Sequence, residues 1–255
     1  MGSQWSVIPL DVNDAYTNMA IDEALLKLRA RNKVPNVLRF YRWRPSAVSI
    51  GYFQSMMDEV DVEACRRMGV DFTRRVTGGG AVFHDYEGEI TYSVIVKEDD
   101  PAIPRDVLES YRTIGGGIVE ALAALGLKAE FSGVNDITVN GRKLSGNAQT
   151  RREGVILQHG TILLDLNVSK MFQALRVSGK KLEDKPIKLV EERVTSIRRE
   201  LGFKPEFGNV EEALKAGFEK RLRIRLNPST LGDEVLSYAE QLREKYRNPE
   251  WLFMR

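Results

Sequence analysis

The dipeptide Asn140-Gly141, set between the strand-like runs DITV (136–139) and RKLSG (142–146), constrains the folding of this chain more than any other pair of residues. Asn-Gly tolerates the positive φ angles of a type I′ turn, so it predicts a two-residue hairpin. With that turn, Val139 faces Arg142, Thr138 faces Lys143, Ile137 faces Leu144 and Asp136 faces Ser145. Side chains alternate between the faces of a strand. One face should then carry Ile137, Val139 and Leu144, and the other Asp136, Thr138, Lys143 and Ser145. A lysine held among polar groups on so rigid an element is placed as a preorganised cation should be. The plain alternative is a solvated surface lysine. The continuation SGNAQ (145–149) is built of small residues, and Gly146 would let a ligand approach the backbone.

The second informative stretch is RRVTGGGAVFHD at 74–85. Consecutive glycines at 78–80 let several N–H groups converge on an oxyanion, and a flanking arginine can add a charge-assisted contact to phosphate or carboxylate. Glycine-rich turns are common, so the triple glycine alone is weak. The apolar run Ala81, Val82, Phe83, ending in His84, favours a binding loop. A second triple glycine, Gly115–Gly117, interrupts the helical stripe of Ile114, Ile118, Val119 and Leu122, and is read as close helix packing. Neither segment matches a P-loop or a dinucleotide-binding fingerprint.

The chain has only two histidines and one cysteine. His159 alternates with Leu157 and Thr161 on a strand and reads as a satisfied core histidine. Cys65 falls on the stripe Val62–Cys65–Met68 and reads as a small buried hydrophobe. One cysteine excludes an internal disulfide or a cysteine zinc cluster. Lys+Arg 38 nearly balance Asp+Glu 36, which speaks against nucleic acid as a partner. No apolar run approaches membrane-spanning length and no leader pattern opens the chain, so a cytoplasmic protein without membrane attachment is expected. A charged fraction of 29% suits a heat-adapted, thermophile-like protein.

Periodicity predicts helices over 18–31, 58–69 and about 104–125, then two amphipathic helices over about 209–221 and 230–246. Strands are predicted at NVLRFYRW, SAVSIG, DFTRRV, EITYSVIV, the hairpin and GVILQHGTILLDL. Residues 178–193 read as a mobile connection. Strands and helices without βαβ regularity predict an α+β fold with a mixed or mostly antiparallel sheet flanked by helices. All of residues 1–255 are expected to form one catalytic domain, with the helices of 209–255 packed onto it.

Taken together, NMAIDEALL (18–26), SIGYFQ (49–54), RRVTGGGAVFHD (74–85), VNDITVNGRKLSGNAQ (134–149), HGTILLDLN (159–167) and ERVTSI (192–197) resemble the lipoate–protein ligase family. That family shares the biotin/lipoate–protein ligase catalytic fold with the octanoyltransferases. The resemblance implies an ATP-dependent ligase. Lipoate and ATP give lipoyl-adenylate, and a lysine of a lipoyl-carrier domain then attacks it. The carriers implied are acyltransferase subunits of 2-oxoacid dehydrogenases or the glycine cleavage H protein. Lys143 would be the catalytic cation. Arg75, Thr77, Gly78, Gly79, Gly80, Ala81, Val82, Phe83 and His84 would bind acyl group and adenylate. Asn135, Asp136, Ser145, Gly146, Ala148 and His159 would complete the site, with Asp136 toward the Mg²⁺ of ATP. Residues 178–193 would fold over the adenylate. Many single-chain ligases carry a further C-terminal domain with no counterpart here, which implies the archaeal two-component form with a separate accessory subunit. Octanoyltransferases of this fold use a cysteine near the hairpin or after the following strand, where this chain offers Ser132 and Ser178. That places an octanoyl or lipoyl transferase working from acyl carrier protein, or a non-catalytic lipoyl-binding homologue, behind the ligase. A biotin ligase is disfavoured because its GRGRRG-type loop is replaced by RRVTGGGA.

Overall fold

Polar and apolar residues alternate along Glu89–Lys97 (Glu89, Thr91 and Ser93 against Ile90, Tyr92 and Val94), yet the strand is buried on both faces. Both faces are covered because it lies inside a mixed sheet with helices above and below. The computed structural model describes residues 4–176, 190 and 192–255. In chain order its elements are β1 (Gln4–Asn13), α1 (Ala15–Ala30), β2 (Val37–Trp43), β3 (Ala47–Ile50), α2 (Met56–Glu59), α3 (Val62–Met68), β4 (Asp71–Arg74), β5 (Val82–His84), β6 (Glu89–Lys97), α4 (Val107–Ala124), β7 (Ala129–Ser132), β8 (Asp136–Val139), β9 (Arg142–Arg152), β10 (Val155–Leu163), α5 (Val168–Ala174), α6 (Ile197–Leu201), α7 (Phe207–Leu222), β11 (Arg225–Pro228), α8 (Asp233–Arg247) and α9 (Pro249–Leu252).

The larger sheet has eight strands in the order β11-β1-β2-β6-β10-β9-β8-β7, and a smaller one has the order β4-β3-β5. Pairing is parallel across β11, β1 and β2 and antiparallel from β2 through β7. The fold is therefore α+β with a mixed sheet, as the pattern predicted. One face packs Tyr92, Val94 and Ile156 against Ile118 of α4 and Phe218 of α7. The other packs Ile95 and Leu157 against Leu25 of α1 and Ala239 of α8. The small sheet has its own cluster, with Val48, Phe83 and Cys65.

The helices follow their caps rather than the sequence boundaries. α1 starts at Ala15 because Asp14 accepts a hydrogen bond from the Thr17 N–H. Asn18, where the predicted helix began, is buried inside α1 and donates to the Arg42 carbonyl. The single helix expected over 58–69 is two, because Val60 is extended and pairs with Leu175, and Asp61 then caps α3. β1 and β11 were not foreseen. The edge strand β11 is four residues long, too short to announce itself by alternation.

The triple glycine at 115–117 does what its helical stripe implied. A Cβ at Gly117 would lie 2.5 Å from Phe218, and one at Gly217 would lie 2.3 Å from the Gly117 carbonyl. Helices α4 and α7 thus meet at backbone distance. At the other end, Arg243 of α8 binds Asp14, and Tyr246 and Lys245 both bind Glu23 of α1. Apart from Val190, Glu192 and Arg193, the connection expected at 178–193 lies outside the described residues. Among those described, no helix is long and apolar enough to cross a membrane.

Candidate active site

A cavity of ≈ 270 Å³ lies where the two sheets meet, walled by Gly79–His84 on one side and by β9 and β10 on the other. Drug-sized ligand pockets run from about 300 to 1,000 Å³, so a cavity at the small end suits a slender ligand. Its lining is largely apolar, with Met19, Trp43, Phe83, Leu144 and Leu163 among the walls. Lys143 stands on its wall as well.

The double arginine is used inward. Arg75 is buried and donates to the carbonyls of Ser49, Gly78 and Gly80 and to the hydroxyls of Ser49 and Thr77. Burial pulls its pKa down to about 10, so it remains charged at neutral pH. The residue expected to contact a ligand anion instead holds the glycine loop in shape from beneath. Arg74 donates to the carbonyls of Tyr52, Gln54, Trp251 and Leu252, tying α9 to the loop after β3. In a trans peptide the N–H points opposite to the preceding carbonyl. The inward carbonyls of Gly78 and Gly80 therefore turn the N–H groups of Gly79 and Ala81 away from Arg75.

Of the three loop glycines only Gly79 needs a positive φ, of 95°. Its carbonyl packs on Gly51, where a Cβ would lie 2.1 Å away. At Gly78 and Gly80 a Cβ would meet nothing within 4 Å. Gly51→Ala is therefore expected to push the loop aside, costing about 1–3 kcal/mol of stability by overpacking together with most of the activity. Gly78→Ala should melt within about 0.5 kcal/mol of wild type. Thermal melts of the two variants check this, and equal melting points would sink the packing argument.

The hairpin forms as expected, with φ of 51° at Asn140 and 74° at Gly141. Its register then slips. Thr138 faces Lys143 but Ile137 faces Ser145, leaving Leu144 as the extra residue of a bulge. Ser145 was expected on the polar face with Lys143. The bulge turns it inward, where it is fully buried with its Oγ unpartnered, and it is not on the cavity wall. Leu144 takes a place on that wall. The Lys143 ammonium reaches Asp136 at 2.7 Å. It passes over Gly146, where a Cβ would lie 2.7 Å from Cε and Nζ. Asn135 is tied down by Asn147, whose side chain donates to the Asn135 carbonyl and accepts from the Tyr92 hydroxyl.

Each histidine connects a hydroxyl to a carboxylate. His159 Nε2 is 2.7 Å from Thr77 Oγ1, and its Nδ1 is 3.4 Å from Asp22. His84 Nε2 is 2.8 Å from Ser49 Oγ, and its Nδ1 is 2.7 Å from Glu89. Burial holds His159 below the ordinary histidine range, with Asp22 opposing the shift. For Asp22, burial acts upward, but hydrogen bonding from His159 and the Arg39 charge bring it below the usual carboxylate range. A histidine with a lowered folded pKa binds fewer protons folded than unfolded. Its contribution to stability is therefore complete above the unfolded value of about 6.5 and is lost as pH falls toward the folded value. Denaturant melts from pH 7.5 to 5 should show stability falling with pH. A His159→Gln variant should flatten that slope, and an unchanged slope would refute the assignment.

Of the residues singled out in the sequence, Lys143, Arg75, Gly79, Gly80, Ala81, Val82, Phe83, His84, Asn135, Gly146, Ala148 and His159 all line the cavity. Thr77, Gly78 and Asp136 stand behind it, bonded to residues that do. Asn147, Asp22, Ser49 and Glu89 were missed. Asp22 left a trace, a carboxylate three residues from both Met19 and Leu25 on a buried stripe. Cys65 is buried outside the cavity, and burial raises its thiol to about 11. Among the described residues, no three His, Cys, Asp or Glu side chains are grouped to hold a metal.

Residues 14–219 match the family model for the lipoyl protein ligase A/B catalytic domain. The octanoyltransferase LipM of Kyrpidia tusciae is 41% identical, covering 97% of both chains. That of Staphylococcus aureus is 37% identical over 99% of each. The missing cysteine had spoken against a transferase, yet these full-length relatives carry that name. Among solved structures, the bi-partite lipoate protein ligase of Thermoplasma acidophilum superposes with a TM-score of 0.87 at 31% identity, covering 98% of this chain and 96% of that one. A lipoate–protein ligase A bound with ATP gives 0.81 at 29% identity, covering 98% of each chain. The cavity between the sheets, the lysine hairpin and the braced glycine loop thus stand in a member of the lipoyl protein ligase A/B catalytic-domain family.

Proposed function

We propose that this chain is an acyltransferase that places an octanoyl or lipoyl group on the lysine of a lipoyl-carrier domain. The observation that carries the reading is a narrow apolar cavity with the Lys143 cation and the glycine loop on its wall. The slot suits a medium-length acyl chain. The cation suits the negative charge that develops at an acyl carbonyl under attack. The full-length relatives named octanoyltransferase LipM favour octanoyl carrier protein as donor.

A second reading, in which lipoate and ATP give lipoyl-adenylate, is favoured by one observation. The single thiol is buried outside the cavity with a raised pKa, so no thiolate is available for a cysteine thioester. In that reading Lys143 lies where carboxylate and α-phosphate must be drawn together. Asp136, paired with Lys143, would be the carboxylate that takes a Mg²⁺ carried by the nucleotide in that reading. A separate accessory subunit would complete the adenylation, in the manner of the bi-partite ligase from Thermoplasma acidophilum.

One experiment decides the donor. The chain is incubated with a lipoyl-carrier domain and either octanoyl carrier protein, lipoate with Mg-ATP, or synthetic lipoyl-adenylate, and the carrier is weighed. Modification from octanoyl carrier protein supports the first reading; modification from adenylate alone supports the second with its accessory subunit. A carrier left unmodified by every donor overturns the proposal. Cys65→Ser is expected to transfer at the wild-type rate from whichever donor works.

A further inference from the structure

Beside the lysine hairpin, a second group of polar side chains reaches the cavity. Ser49 on β3, His84 on β5 and Glu89 on β6 form a linear chain, Oγ to Nε2 at 2.8 Å and Nδ1 to Oε1 at 2.7 Å. Ser49 and His84 line the cavity, while Glu89 is fully buried behind them. The order of atoms is that of a hydroxyl nucleophile, a general base and an orienting carboxylate. We propose that Ser49 is an acyl-accepting nucleophile in this site, with His84 as its base and Glu89 as the residue that positions His84. The inference rests on the transfer reading with a thioester donor, and supplies the covalent step for which the chain has no accessible thiol.

Three features support it. First, the hydrogen-bond pattern admits the arrangement a base needs. Arg75 Nη1 donates to Ser49 Oγ at 3.2 Å, so the serine proton is free to point at His84 Nε2. With the His84 proton on Nδ1, toward Glu89, Nε2 accepts from Ser49, which is the tautomer the proposal requires. Second, the imidazole is held rigidly, stacked on Trp43 with ring centroids 4.0 Å apart. Third, Glu89 Oε2 is buried with no hydrogen-bond partner, whereas Oε1 accepts from both His84 and Thr91. The unshared oxygen leaves the carboxylate able to stabilise the imidazolium that forms when Ser49 gives up its proton. Gly79 and Ala81 line the same cavity wall, and in the proposal their backbone N–H groups are the donors for the oxyanion.

In the first half, Ser49 Oγ adds to the thioester carbonyl and its proton passes to His84 Nε2. The C–S bond then breaks and the sulfur leaves with that proton as a free thiol. In the second half, the neutral amine of the carrier lysine attacks the Ser49 ester. The amide C–N bond forms, the ester C–O bond breaks, and the proton shed by nitrogen returns through His84 to Ser49 Oγ.

The test is intact-mass and peptide mapping of the whole chain after acid quench from octanoyl carrier protein, without acceptor. The expected result is one octanoyl group on the peptide holding Ser49. It should be absent in Ser49→Ala and formed at least about 100-fold more slowly in His84→Gln. An adduct only on another residue, or no adduct while the carrier is still octanoylated, overturns the inference and leaves the proposed function standing. Ser49→Ala that transfers at the wild-type rate overturns it too. A carrier unmodified from every donor and no Ser49 ester would remove both. The wild-type map needs no variant, so a folding defect in Ser49→Ala does not obscure the reading.

Discussion

Replacing Lys143 with methionine is expected to lower acyl transfer to the carrier lysine about 100- to 1,000-fold, the cost of removing one preorganised charge from a reacting carbonyl. The fold should not notice. The side chain is 41% exposed and its ion pair with Asp136 is itself partly solvated, a class of contact worth about 0–1 kcal/mol. Methionine keeps most of the volume and removes only the charge. A group that acts on developing charge moves kcat far more than KM, so the two should separate in steady-state kinetics. Gly146→Ala should act in the same direction and less strongly, because its methyl group displaces the end of Lys143 without removing it. Full activity in Lys143→Met, with any donor, would remove the lysine from the mechanism.

The second large effect is on stability. Asp22→Ala should destabilise the protein by about 3–5 kcal/mol, because it leaves the Arg39 guanidinium buried without its counter-ion. Asp22 accepts from Arg39 at 3.0 Å, from the Tyr41 hydroxyl at 3.0 Å and from Ser93 at 2.8 Å, and all four residues are almost fully buried. At roughly 2–4 °C per kcal/mol for a chain of this size, the melting temperature should fall by about 6–20 °C. Adding Arg39→Met should restore part of the loss, since removing both charges is far cheaper than removing one. A double variant no more stable than Asp22→Ala would refute the buried-charge explanation. His159 also loses its Nδ1 partner in Asp22→Ala, so activity should fall as well.

The elements that were legible in the sequence carry their instructions locally. The Asn-Gly turn, the helical stripes of α1, α4, α7 and α8, and the burial of Cys65 all follow from neighbouring residues. So does the packing role of Gly115–Gly117, because the stripe runs through it. What was misread depends on backbone geometry and strand pairing that the residue pattern does not announce. Arg75 looks like a ligand-binding arginine until the carbonyls of Ser49, Gly78 and Gly80 are found around it. Ser145 looks like a neighbour of Lys143 until one residue of bulge turns it inward. Glu89 and His84 are five residues apart, but Ser49 joins them only because β3 pairs with β5.

By itself the sequence determined that Lys143 would stand on a hairpin and that residues 78–80 would form a glycine loop, since turn chemistry and strand alternation act over a few residues. Only the tertiary structure decided which groups are spent holding that loop and which are free to act. A donor's task is set by whatever oxygen lies within 3 Å or so of it. Arg75 is occupied by the loop's own carbonyls, whereas Lys143 stands on the cavity wall with only a partly solvated ion pair to Asp136 holding it.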